Sequence, residues 1–337
     1  MALWTDIIDP AELTGYVREA QEDYERRQGT LARWLPNREV ADIVVRFVMG
    51  QHGLVPEASY RAIDAEPAVG GQPTGKRVAI ELPALSEEIP VSEYDQLRNR
   101  GASDDLVRRS ILSTARRVVR AISDRAERLR GVVINTGVAT IPEIGAADSF
   151  GRSASHDVTA PELWNDPTVD RISFLESILD VYGETGAEAG TLLMTRRVFR
   201  ALAAGDQFRT ILVGGGSRPA TQEEVRTVVS NAGLPEIVIF NRRTAKGRVL
   251  DEDKLFLLPA PVETNDWEGT ELGATFWGQT LTATDERYGI EESEQPGIVA
   301  GVYRGEKPPM IAEVVGDSLN LPVLANADLS LAATVLS

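Results

Sequence analysis

The side chains that most often carry chemistry are scarce in this sequence. There is no cysteine, which removes a thiol nucleophile, a zinc-thiolate site, an iron-sulfur cluster and a disulfide framework in one step, and leaves the redox compartment open. His52 and His156 are the only histidines, too few for a multi-histidine metal site within one chain. His156 stands beside Asp157 and near Ser153 and Ser155, but no nucleophile elbow accompanies them, and the stretch reads as a polar loop. Gly214, Gly215 and Gly216 follow a strand-like run, where bare amides could cradle an anion. No Lys-Ser/Thr pair follows, the spacing is not G-x-G-x-x-G, and Pro219 removes a donor, so a flexible loop is the better reading. The acids Asp251, Glu252 and Asp253, and Glu291, Glu292 and Glu294, lack the ligand spacing of a calcium loop and read as solvated surface. No metal, cofactor or catalytic residue is expected.

The basic residues carry a stronger signal. Asp and Glu number 51 against 35 Lys and Arg, a net charge of -16, which argues against a surface that clings everywhere to phosphates. Only Lys76, Lys246, Lys254 and Lys307 are lysine; every other basic residue is arginine. Eight arginines (108, 109, 116, 117, 120, 125, 128 and 130) gather between Ser103 and Arg130 among few acids. Two readings stay open for this stripe: a solvated face paired with the surplus acids, or contact with a polyanion or an acidic neighbour in an assembly.

The elements that must position these residues follow from periodicity. A chain of 337 residues and 36.6 kDa makes one large or two smaller domains and can bury a core without metals or disulfides. No apolar run approaches the roughly 20 residues of a bilayer span, and the start MALWTDIIDP lacks a signal peptide's features, so a soluble protein is expected. Residues 9–34 read as an extended arm with a short helix at Pro10 to Gln28, marked by Leu13, Tyr16, Val17, Ala20 and Tyr24. ADIVVRFVMG reads as a buried strand. ASYRAIDAE and KRVAIEL flank the turn-rich AVGGQPTG, which predicts a long hairpin with a flexible tip. A lone hairpin is marginally stable, and no neighbouring segment supplies a surface for it, so a partner subunit is expected to.

From Ser103 to Arg130, Leu106, Ile111, Ala115, Val118, Ile122, Ala126 and Leu129 recur at helical spacing. Ser103 is the expected N-cap and Gly131 the expected stop. That helix would span about 40 Å. GVVINTG and Val138 to Ile144 read as strands, and SFGRSASHDVT as a mobile loop. Helix and strand then alternate from Pro167 to KLFLLP, an α/β lobe, before turn-separated strands through PPMIAEVVGD to PVLANADLSLAATVL.

In this order, arm, strand, hairpin, long basic helix, α/β lobe and returning strands resemble the tailed-phage major capsid proteins of the Hong Kong 97 fold, most like the lambda-type capsid protein E family. The residues that carry the resemblance are ASYRAIDAEPAVGGQPTGKRVAIELP, the helix Ser103 to Arg130, WNDPTVDRISFLESI with TLLMTRRVFRAL, and the ending PVLANADLSLAATVLS. The resemblance implies an α+β fold with an N-terminal arm (1–45), an extended hairpin loop (46–92), a peripheral domain (93–166 and 285–318, spine helix 103–130) and an axial domain (167–284 and 319–337). It implies hexamers and pentamers closing into an icosahedral head around double-stranded DNA, with no enzymatic activity. A separate scaffold protein, a portal and a decoration protein would be partners, with no membrane; the location would be the virion, assembled in the bacterial cytoplasm. On that reading Arg116, Arg117, Arg120 and Arg128 face DNA, and Tyr60, Ile63, Lys76, Arg77, Val78 and Ile80 of the hairpin contact a neighbour. Exchange of Ser59 to Ile80 for a linker is expected to leave the monomer folded. Some capsids of this fold join a loop lysine to a neighbour's asparagine; Lys76 is the only lysine on the loop, Asn320 and Asn326 are the only asparagines after Asn265, and no crosslink is expected. The alternatives are a protein container of the encapsulin kind and a soluble α/β enzyme built on the lobe.

Overall fold

The computed structural model describes residues 2–49, 76–91, 104–208, 220–308 and 310–337. Gly214 to Gly216, Tyr60, Ile63, Ser103 and the ASYRAIDAE arm of the expected hairpin lie outside them. Two sheets divide the described chain. The larger is organised by one long strand, β16 (Ala312–Leu324), whose first half lies between β15 (Val299–Arg304) and β5 (Ala84–Val91) and whose second half pairs with β14 (Gly273–Gly278). β1 (Ala2–Leu3) extends this sheet on β15, and β2 (Asn37–Glu39) runs parallel to β14. The smaller sheet has the order β10 (Glu236–Ile239), β9 (Thr191–Met194), β13 (Lys254–Leu258), β17 (Leu331–Thr334) and β8 (Asp157–Thr159). Its central strands are apolar on both faces, as the continuous run KLFLL requires, because helices α3 (Arg171–Gly183), α4 (Arg196–Ala203) and α5 (Gln222–Asn231) belong to the same core. Short pairs β6 (Val138–Ile141) with β7 (Ala146–Ser149) and β11 (Arg243–Thr244) with β12 (Gly247–Arg248) complete the strands. The result is the expected α+β architecture. No helix among the described residues is long and apolar enough to cross a membrane.

Helix α1 (Pro10–Gln28) has the predicted bounds, since Asp9 accepts the Ala11 amide at 2.8 Å and Pro10 occupies the first turn. The arm is not without partners in its own chain, however. Leu13 and Val17 are fully buried against α2 (Asp104–Thr136) and the large sheet, and Leu31, Trp34 and Leu35 enter the main core. Two apolar residues one turn apart suffice here because the surface beneath them is itself a packed helix and sheet.

Helix α2 corrects a second expectation. It runs through Gly131 to Thr136, so GVVIN is helical and not a strand. Gly131 serves packing: a Cβ there would lie 2.3 Å from the Val249 carbonyl oxygen. The helix stops at Gly137, with φ +69°, whose amide bonds the Val133 carbonyl at 2.8 Å. Arg152 closes the same end, donating to the carbonyls of Ile134 at 2.8 Å and Asn135 at 2.9 Å. The segment expected as a mobile loop is therefore fastened to α2, and it contributes β8 to the small sheet. β6 ends at Ile141, where Pro142 opens a 3₁₀ turn. Leu106, counted in the buried stripe, is exposed.

The implied domain limits also shift. β14 lies in the large sheet although residues 167–284 were assigned to the axial part, β8 lies in the small sheet, and β16 runs unbroken across the boundary at 318/319. The acids 251–253 are paired, not merely solvated: Asp251 accepts from Asn135, Glu252 from Arg248 and Asp253 from Arg197.

Candidate functional site

Two surfaces collect the residues singled out above. The first is a two-stranded ribbon, β3 (Val44–Met49) paired antiparallel with β4 (Lys76–Glu81), Met49 opposite Lys76 at its outer end. KRVAIE thus has ADIVVRFVM as its described partner, and that strand is not buried throughout. Strand alternation sends Val45 and Ile80 into the main core, at 5% and 8% exposure, with Phe47 and Val78 packed partly against it. Ile80 therefore anchors the ribbon within its own subunit, and exchanging it with the loop would damage the core. Arg46, Lys76, Arg77 and Ala79 are exposed.

The second surface is the arginine stripe of α2, and packing splits it. Arg108 pairs with Glu12, Arg125 reaches Glu143 at 3.1 Å, and Arg130 is fully buried. Arg116, Arg117 and Arg120 are exposed. Arg116 lies over the Tyr16 ring at 5.3 Å and Arg120 over Tyr24 at 5.6 Å, so the arm helix holds two guanidinium groups in place without neutralising them. Arg128 stands apart: it is half-buried in a mainly apolar groove of about 530 Å³ between α2 and β5, with Nη1 shielded and without a hydrogen-bond partner among the described residues.

Between the two surfaces lies a buried polar joint that the sequence reading missed. Arg130 donates from Nη1 to Glu127 at 3.0 Å and Thr30 at 3.2 Å, from Nη2 to Asn37 at 2.6 Å, and from Nε to Thr275 at 2.9 Å. Glu127 also accepts the Leu31 amide at 2.7 Å and the Thr30 hydroxyl at 2.9 Å. Arg242, likewise buried, bonds the Gly29 carbonyl at 2.9 Å and Asp124 at 3.1 Å, and lies 3.7 Å from Glu127. Arm, spine helix, large sheet and the chain after β10 thus meet at one ion network. Glu127 and Arg130 at i and i+3, both within the apolar stripe of α2, were the available signal.

The polar loop forms no hydrolytic arrangement. Ser153 donates its hydroxyl to Asp328 at 3.0 Å, Ser155 Oγ lies 3.3 Å from His156 Nδ1, and His156 Nε2 is buried without a hydrogen-bond partner among the described residues. Burial holds the His156 pKa below its ordinary 6.5, opposed in part by Asp328. The unfolded chain takes up the proton first. This contribution to stability is therefore present above about pH 6.5 and is lost as the pH falls below that value toward the lowered folded pKa. The melting temperature should fall between pH 7.5 and 5, and His156→Gln should flatten that fall; an identical slope in both proteins would refute the assignment.

Lys76 is exposed at the end of the ribbon, whereas Asn320 and Asn326 are buried. Amide exchange needs an unprotonated amine held against the acceptor with a carboxylate nearby, and buried asparagines do not present themselves to another chain. Assembled protein boiled in detergent should run as one band at the monomer mass; a ladder that vanishes in Lys76→Ala would show otherwise.

No protein-family profile matches this sequence, and no curated protein is significantly similar to it. Solved structures are. One assigned to a capsid protein of a prophage from E. coli CFT073 aligns over 97% of this chain and 99% of its own, with a TM-score of 0.63 at 16% identity. A phage-related protein from Bordetella bronchiseptica RB50 aligns over 99% and 97%, with a TM-score of 0.59 at 15% identity. The capsid of cyanophage P-SCSP1u aligns over 91% and 88%, with a TM-score of 0.51 at 12% identity. The described residues have the α+β fold of these solved phage structures.

Proposed function

We propose that this chain is the major capsid protein of a tailed phage, a structural subunit whose copies form hexamers and pentamers and close into an icosahedral head around double-stranded DNA. The observation that carries this is the end-to-end fold match, 97% of one chain on 99% of the other. The ribbon adds support: its base is anchored in the core, while Arg46, Lys76 and Arg77 face outward with the chain of residues 50–75 leading on from them. A reaching element repeated on identical copies generates identical interfaces, which close into symmetric shells. The role is structural and calls on no catalysis. A scaffold protein, a portal and a decoration protein would act with it, and the mature location would be the virion, reached from the bacterial cytoplasm.

Electron microscopy and light scattering of protein made with its scaffold test this directly. DNA-filled shells support the reading, protein-filled shells indicate a cargo container, and a stable monomer or dimer sinks both.

Within this reading Arg116, Arg117 and Arg120 meet DNA through phosphate contacts that weaken with salt, with Arg128 set back beside them. These three are exposed and have no acidic partner among the described residues, while the net charge of -16 keeps the rest of the surface from holding DNA tightly. Charge reversal at Arg117 and Arg120 should lower DNA retention on the order of tenfold while empty shells still form. Unchanged DNA content would remove the assignment.

A further inference from the structure

The groove that holds Arg128 has no use in the reading above. Residues from β5 and the Pro83 before it, from α2, from Ile141 and the 3₁₀ turn after it, and from the turn between β11 and β12 surround about 530 Å³. That volume lies within the roughly 300–1,000 Å³ of small-molecule sites. The lining is mainly apolar, with Leu85, Ile122, Leu129 and Ile141 among its members. Ile144 adds a large apolar side chain that is 64% exposed, so the apolar surface of the groove continues into solvent.

The charged groups of the lining are accounted for, with one exception. Glu143 is held by Arg125 at 3.1 Å and by Lys246 at 3.8 Å, and Asp124 by Tyr24 at 3.0 Å and Arg242 at 3.1 Å. Glu87 is exposed on β5, where water screens it. Arg128 is the exception. Its Nη1 is shielded from water, Nε and Nη2 are not, and none of the three has a hydrogen-bond partner among the described residues. A guanidinium that has lost part of its hydration without gaining an acceptor is left in an unfavourable state, and a carboxylate placed against its free donors would offset that cost through charge-assisted bonds.

We propose that this groove binds a small amphipathic anion, an unbranched alkyl carboxylate of medium chain length, with its head group on Arg128 and its chain on the apolar lining. Each half of the ligand answers one observation. A carboxylate matches the fork of Nε and Nη2, and an alkyl chain takes the apolar lining out of water. A nucleic acid would set further phosphates against that lining, and an uncharged alkyl compound would leave the guanidinium charge unmatched. All of the lining comes from one chain, so the site does not depend on the capsid reading.

Calorimetric titration of the full chain with decanoate tests this, with 1-decanol as the uncharged analogue. Decanoate should bind with one molecule per chain and at least tenfold more tightly than decanol. Arg128→Met should weaken decanoate about tenfold or more, the size of one lost charge-assisted contact, and leave decanol unchanged. Arg128→Lys keeps the cation without the fork and should recover part of the loss. Ile144→Ser alters an exposed side chain, leaves the fold intact and should weaken both compounds. No saturable binding of decanoate, equal affinity for decanol, or decanoate affinity unchanged in Ile144→Ser would each overturn the proposal. Failure to see shells in the microscope would sink the capsid reading and leave this result standing.

Discussion

Replacing residues 51–75 with a short Gly-Ser linker is expected to abolish particle formation while leaving the subunit folded. The boundaries come from burial. Val45 and Ile80 are core residues and Val78 packs partly on the core, so a replacement reaching Ile80 would confuse loss of assembly with loss of folding. Ending at Gly75 spares the whole of β4, and the linker then joins positions that already face each other, since Met49 pairs with Lys76. The melting temperature should change little. If, as proposed, this segment meets a neighbouring copy, assembly should suffer far more, because every copy would lose the same contact and a shell multiplies a small deficit per interface; each 1.4 kcal/mol lost is about a tenfold change in association. Sedimentation of wild type and variant side by side measures the outcome. Particles of normal yield from the variant would contradict the reaching role of this segment.

The largest expected effect on stability belongs to Arg130→Met. The arginine is fully buried and is the common partner of Glu127, Thr30, Asn37 and Thr275. Its removal leaves the Glu127 carboxylate, itself fully buried, with only Arg242 at 3.7 Å as a nearby cation, and strips a donor from two elements that reach the joint from distant parts of the chain. Breaking one side of a buried pair costs about 3–5 kcal/mol, which for a chain of this size is a fall in melting temperature on the order of 5 °C. The exposed pair of Arg125 and Glu143 provides the control: Arg125→Ala should cost less than about 1 kcal/mol. Equal losses in the two variants would mean that the buried joint is no stronger than a surface contact. Thermal unfolding followed by circular dichroism distinguishes the cases.

What was legible in the sequence was local. The bounds of α1 and α5 follow from caps that lie within three residues of them, including the Thr221 and Glu224 capping box, and the strand KLFLL announces itself by being apolar at every position after Lys254. What was misread depended on residues far away in the chain. Gly131 looks like a helix stop, and nothing nearby reveals that Val249 needs the space. Arg130 looks like one more member of a basic face, because its partners Thr30 and Thr275 lie 100 and 145 positions away. The arm looked bare because Leu13 and Val17 are few, yet the surface that covers them is assembled from α2 and the C-terminal strands. For the candidate surfaces the same division holds. The arginines of α2 could be found by composition, but only packing distinguishes Arg116, Arg117 and Arg120, which face outward, from those consumed internally.

The large sheet also sets a timetable for biogenesis. Ala2 pairs with Arg304, Asn37 with Thr275, and the Thr14 hydroxyl bonds Ala300, so the arm finds its partners in the large sheet only far later in the chain. Loop-closure entropy makes such long-range pairing slow, and a nascent chain emerges at about 5–20 residues per second, so the arm must wait many seconds for strands that do not yet exist. During that interval the amino-terminal segment is open to proteases and to other nascent chains on the same messenger. Its composition suits the wait: between Glu19 and Arg27 it carries four acids and two arginines with Ala20 and Tyr24 as the only apolar members, a sequence that stays hydrated until the carboxyl-terminal strands arrive to seat it. A truncated product lacking β15 and β16 would keep that arm unseated, so incomplete chains would be marked for degradation.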